Sequence, residues 1–150
     1  MAAHLDSYIR NWKRIHKQTT RVMALVPDDQ YDWRPAPTSM TLGELMNHLW
    51  LSELGFVEGV LNGERTERPA PLRNTAELVA AFDQTHAAAA EHVATLTPEQ
   101  LEETVTLFGP EYPLKRRVIL NMLHEHEIHH RGQLYVYLRM LGCALPALYS

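Results

Sequence analysis

Apolar residues recur at helical spacing along four stretches of the chain. The first covers about residues 3–26, where Leu5, Tyr8, Ile9, Trp12, Ile15, His16, Thr19, Val22 and Met23 form one stripe. Three prolines in PDDQYDWRPAPTSM then interrupt the period and predict a loop. A second helix begins at TLGE. Thr41 can accept from the Glu44 backbone while Glu44 reaches back to Thr41, a capping box. This helix runs to about Leu61 and stops before Asn62-Gly63. The segment ERTERPAPLRN is too polar and proline-rich for a core. A third helix starts near Asn74 or Thr75, with Glu77 placed for a capping box to Asn74. Its stripe is Leu78, Phe82, Thr85, His86, Ala89, Val93 and Leu96. Thr97-Pro98-Glu99 reads as an N-cap with proline at the first helical position, so a short helix of one or two turns should follow. After FGPEYP breaks the chain, a fourth long helix spans about Leu114 to Leu141 and stops at Gly142.

Four long helices and little β-alternation predict an all-α fold, a four-helix bundle with long crossover loops and a short extra helix. A chain of 150 residues suits one domain over 1–150. The second and third helices are joined by about a dozen residues, long enough for them to run parallel instead of as a tight hairpin.

Composition narrows the partners. A net charge of -4 and 21% charged residues argue against a broad basic surface for nucleic acid or anionic lipid, although Lys115-Arg116-Arg117 is a small basic patch. One cysteine, Cys143, excludes an intramolecular disulfide and suits a reducing, cytoplasmic compartment. The N-terminal MAAHLDSYIRNWKR turns polar too soon for a signal peptide. No apolar run approaches the roughly 20 residues that span a bilayer.

The chemistry concentrates in HEHEIHHRGQ, residues 124–133, which holds four of the nine histidines. His126 and His130 are four apart, hence on one helical face about 40° from each other. They interrupt the apolar stripe of Ile119, Met122, Leu123, Leu134, Tyr137, Leu138 and Leu141 at its centre. His124 and His129 fall to either side, and His129 could still chelate. Two inward imidazoles need either hydrogen-bond partners or a shared divalent cation for their lone pairs. The second helix offers a third in His48, on an unusually small face with Leu45, Ser52, Gly55 and Gly59. Three histidines from two helices could make a His₃ site with an open position.

Other arrangements compete. His126-Glu127-Ile128-His129-His130 fits H-E-x-x-H, with Glu127 as general base. That motif takes a third ligand downstream, and no His, Asp or Glu follows His130. Glu127 also lies off the apolar stripe, which predicts a solvated side chain. His16, His86 and His92 read as boundary residues, His16 being the best further ligand or pocket residue among them. Trp12 and Trp33 read as core or pocket wall, and Cys143 as a small apolar packer.

The residues DWRPAPTSMTLGELMNHLW, followed about 70 residues later by LHEHEIHHRGQLYVYLRMLG, resemble the DinB/YfiT-like superfamily over nearly the whole chain. Arg34-Pro35 before the Thr41 cap, His48, and His126 with His130 before Arg131-Gly132-Gln133 carry the likeness. The resemblance implies an up-down-down-up bundle, a Zn²⁺ or Ni²⁺ ion on His48, His126 and His130, and a homodimer in many members. It also implies transferases or isomerases that use a low-molecular-weight thiol such as bacillithiol or mycothiol on a small-molecule substrate. A thiol transferase is the reading preferred here. A metal-dependent hydrolase and a non-catalytic, metal-stabilised, stress-associated protein are the alternatives. Glu44 or Gln133 could orient a ligand histidine, while Arg131 and Gln133 could instead tie the last helix to a neighbour. Leu120, Ile128, Tyr135 and Val136 would make a second apolar face for a dimer contact.

Overall fold

The structure, a computed structural model, describes residues 2–63 and 67–147. The long helices are α1 (Ala2–Met23), α2 (Leu42–Asn62), α3 (Thr75–Ala94) and α5 (Arg116–Met140), with a short α4 (Pro98–Glu102) between the last two. Local chemistry sets most of these boundaries. The capping box at Thr41 is formed in both directions, at 2.6 and 3.1 Å, and Gly63 ends α2 in the left-handed region at φ 76°. Thr97 and Gln100 make the second full capping box, with Pro98 just inside α4. At α3 only half of the expected box forms. Asn74 accepts from the Glu77 backbone, while Asp28 takes the Thr75 N–H at 2.7 Å. Part of the polar connection after α2, residues 64–66, lies outside the described residues.

Two boundaries differ from the periodicity. α1 ends at Met23, not 26, and the next residues tighten into i→i+3 bonds at Leu25 and Val26. Pro27 explains this, because the residue before a proline is disfavoured in α-helical geometry. α5 begins at Arg116, not 114. Leu114-Lys115 form strand β2, paired antiparallel with β1, Thr104-Val105. The basic patch is neutralised there: Lys115 and Arg117 both reach Glu102, and Arg116 reaches Glu103.

Inter-helix bonds fix the directions. Tyr8 donates to the Leu120 carbonyl and Arg131 to the Ile15 carbonyl, so α1 and α5 are parallel. Tyr137 donates to the Met40 carbonyl while Phe56 packs on His126, so α2 is antiparallel to α5. Asn47 meets Leu72 and Trp50 meets Thr85, so α2 and α3 are parallel across their long connection. α1 is antiparallel to α3, with His16 on Asp83 and Val26 on Thr75. The result is the up-down-down-up order. No helix among the described residues is long and apolar enough to cross a membrane.

Among the described residues the buried apolar side chains fall into two clusters. One centres on Met23, Leu42, Leu45, Phe82, Leu134 and Leu138. The other centres on Trp12, Phe56, Val60, Val93, Ile119 and Leu123. Between them every long helix contributes a buried polar residue: His16, Glu53, His86 and Glu127. A polar layer therefore crosses the middle of the bundle. Trp33 packs edge-on against Tyr137, and Cys143 sits against the first cluster. Of the four residues expected to form a second apolar face on the last helix, Leu120 is buried in the second cluster and Tyr135 donates to the Pro146 carbonyl. Ile128 and Val136 are exposed.

Gly43 marks the tightest approach near the site. Its N–H donates to the Tyr31 carbonyl at 2.9 Å. A Cβ there would lie 2.7 Å from Tyr31 Cδ2 and 3.1 Å from the Tyr31 carbonyl oxygen. Tyr31 is buried and its hydroxyl is bonded to Thr75, so neither atom can yield cheaply. Gly43→Ala is expected to lower stability by about 1–3 kcal/mol, read as an earlier urea midpoint without a change of slope.

Candidate metal centre

α2 and α5 run antiparallel and bring His48 opposite the turn that carries His126 and His130. The Nε2 atoms of His126 and His48 are 2.9 Å apart, and those of His48 and His130 are 3.1 Å apart. Hydrogen bonding cannot account for such convergence. One imidazole nitrogen has either a single N–H or a single in-plane lone pair, so His48 Nε2 cannot serve both neighbours well.

The opposite ring nitrogen defines the tautomer of His130. Gln133 Oε1 accepts from His130 Nδ1 at 2.7 Å, which leaves the lone pair of His130 on Nε2, facing the cluster. His48 Nδ1 meets the Ser52 hydroxyl at 3.3 Å. All three histidines are held below the ordinary imidazole pKa, His126 to about 3, chiefly by burial and then by neighbouring histidines. Neutral rings with their lone pairs converging are what a cation requires. Ligands about 2.0–2.1 Å from one ion lie roughly 3.0–3.4 Å from each other, so the donor set fits a divalent metal.

A groove of about 600 Å³ opens beside His48. Arg34, Arg68 and Arg73 line it with Asp32 and Glu44, giving three cations against two carboxylates. Arg73 bonds Asp32 at 2.7 Å, and Glu44 is engaged in the Thr41 cap. Beyond His126 the surroundings are apolar, with Phe56 against its ring and Phe108 against Phe56.

The remaining expectations divide. His129 is exposed and stays outside the cluster, touching only the edge of His130 among the described ring contacts. His92 is exposed as a boundary residue would be. Glu127 is not solvated. It is 2% exposed and its surroundings are Glu53, Thr19 and Arg131, not the three histidines. This geometry gives it no general-base position in an H-E-x-x-H arrangement. His16 and His86 are not boundary residues either, since both are buried and their rings stack 3.8 Å apart. Arg131 ties α5 to α1 through Ile15 and Gln18. Glu53 went unread in the sequence. Its signal was a carboxylate in the otherwise nearly uncharged helical run LGELMNHLWLSELGF.

Comparison with known proteins identifies the family and the fold. A sequence model described as the DinB superfamily matches residues 11–134. The chain is 32% identical to YjoA of Bacillus subtilis over 139 residues, spanning 85% of this chain and 84% of YjoA. It is 26% identical to YrdA of the same organism over 154 aligned positions, spanning 97% and 88% of the two chains. The crystal structure of YjoA, a DinB-like protein, superposes with a TM-score of 0.77 over 95% of this chain and 96% of that one, at 27% identity. A DinB-like protein from Bacillus cereus shares the fold at a TM-score of 0.80, with 23% identity and 95% of each chain covered.

Proposed function

The chain belongs to the DinB superfamily, and we propose that within it this protein is a metal-dependent transferase joining a low-molecular-weight thiol to a small electrophile. The observation behind this reading is the convergence of three neutral imidazole nitrogens beside a groove with a cationic excess. His48, His126 and His130 would hold the ion; imidazole donors suit a first-row transition ion, and the family resemblance points to Zn²⁺ or Ni²⁺ among them. A divalent ion on three neutral ligands keeps its full positive charge and lowers the pKa of a thiol that reaches it, which is the activation a thiol nucleophile needs.

The chain's own groups do the rest. Gln133 holds the His130 ring in the tautomer that offers its lone pair inward. The groove's excess of positive charge suits an acidic substituent on the thiol. Phe56 and Phe108 offer an apolar wall for the electrophile. Turnover should require both metal and thiol when a panel of small thiols is tested against an aromatic halide by product absorbance. Ester cleavage without any thiol would move the reading to a hydrolase. No turnover across the panel, with the metal fully loaded, would count against an enzyme.

Gln133→Ala is expected to weaken metal binding by about 10–100-fold while the fold persists. Competition with a chromophoric chelator measures it. Unchanged affinity would mean that the His130 tautomer does not depend on this bond.

A further inference from the structure

The outer face of α5 keeps apolar side chains in the open. Ile128, Val136 and Met140 are 45, 52 and 58% exposed, three of the six exposed large apolar residues among those described. Ile128 and Val136 lie one turn before and one turn after Gly132. Glycine inside a helix is a poorer choice than alanine, and nothing in this chain calls for it here. A Cβ at Gly132 would meet no atom within 4 Å, whereas at Gly43 or Gly59 it would run into Tyr31 or Leu107.

This face is complementary to itself when turned end for end about Gly132. Ile128 stands four residues before it and Val136 four after; Glu125 stands seven before and Arg139 seven after. On a helix, positions four or seven away lie within about 40° of the reference residue, so all five share one outward strip. Glu125 and Arg139 have no ion-pair partner among the described residues; Arg139 only overhangs the Tyr135 ring, at 5.9 Å. A two-fold axis sets residue i on j and j on i. Through Gly132 it would match apolar with apolar and carboxylate with guanidinium. We infer that two copies of this chain associate through α5, with the two helices antiparallel and crossing at Gly132. The missing Cβ lets the backbones approach closely. Ile128 then meets Val136 of the partner subunit, and Glu125 meets Arg139 of the partner subunit. Tyr135 of the partner subunit comes to His129, three residues before the crossing, whose ring touches the edge of His130. Each histidine centre therefore lies directly behind the interface. The inference does not depend on whether that centre binds metal or turns over a substrate.

Sedimentation equilibrium of the untagged full chain over about 1–200 µM tests this. A single helix pair makes a small interface, so a dimer with Kd of roughly micromolar order is expected. Val136→Glu and Gly132→Leu should each weaken it about tenfold or more. Both positions are exposed, so circular dichroism should not change. Diluted until monomeric, Gly132→Ala should melt roughly 1–4 °C above the unaltered chain; a lower Tm would mean that the glycine serves the fold and would overturn the inference. Glu125→Arg and Arg139→Glu set like charges against each other in a homodimer, so each should be monomeric alone. An equimolar mixture of the two should dimerise, because each supplies the sign that the other lacks. An unaltered chain that stays monomeric to about 200 µM would sink the proposal. So would a dimer that survives both Val136→Glu and Gly132→Leu, or a mixture no more associated than its components.

Discussion

Alanine in place of His48 is expected to remove the ion proposed for the α2–α5 centre and to leave the bundle folded. Structural zinc in four-ligand peptide sites contributes about 10–16 kcal/mol, so each ligand is worth about 3 kcal/mol, roughly a hundredfold or more in affinity. Here the loss should be at the upper end. His48 Nε2 is the atom that both partners approach, at 2.9 and 3.1 Å, so without it His126 and His130 remain as a two-ligand pair. The structural cost should be small. His48 is only partly buried at the groove, and the hydroxyl of Ser52, its Nδ1 partner, can bond back to the carbonyl one turn earlier on α2. Metal content by mass spectrometry on tag-free protein, with circular dichroism as the control, reads the result. Thiol-dependent turnover should vanish in the same variant. A folded His48→Ala protein with undiminished metal would place the ion elsewhere.

The three histidines were legible because helical spacing is a strong constraint. His126 and His130 share a face by periodicity alone, and His48 sits on a helix face whose small residues imply a close neighbour. What the spacing could not supply was the number of neighbours. The stripe that carries His126 and His130 leaves Glu127 about 100° away from His126. In the bundle α5 packs on both α1 and α2, so its buried arc is wide. His126 and His130 face α2. Leu120, His124, Glu127 and Arg131 face α1, through Tyr8 and Ile15. The same effect buried His16 and His86, each of which shares its stripe position with a neighbour, Ile15 and Thr85. Long-range bonds decided other details. Asp28 reaches the start of α3 from the preceding loop, accepting from the Thr75 N–H and the Asn74 side-chain amide, and a two-residue strand pair is too short to leave any alternation. Helix identities and stops were legible because caps, prolines and Gly63 act within a few residues of themselves.

Stability of the metal-free chain is expected to be greatest near pH 6.5 and to fall on both sides, most steeply toward acid. His16 and His86 are buried, and burial is the largest cause holding each at a pKa of about 4. An unfolded histidine titrates near 6.5. Between those values the unfolded chain takes up protons that the folded chain refuses, so stability is lost as the pH falls from 6.5 toward 4. His124 and His126, at about 4 and about 3, act in the same direction. Glu127 acts oppositely. Burial, then the nearby Glu53, raise it from 4.5 to about 8, against the opposing influence of Thr19 and Arg131. The folded state then binds the extra proton, and stability is lost as the pH rises from 4.5 through 8. Glu53, also raised by burial, adds to that arm. Where the arms overlap, the histidines outnumber the carboxyls, so acidification dominates. Each buried group contributes up to about 1.4 kcal/mol per pH unit inside its window. Urea midpoints from pH 4.5 to 8.5 in chelator trace the profile. Glu127→Gln should flatten the alkaline decline and leave the acid arm in place, because a neutral amide has no proton to lose. If the variant instead runs parallel to the unaltered protein above pH 6.5, Glu127 is already ionised in the folded chain and the carboxyl half of this profile fails.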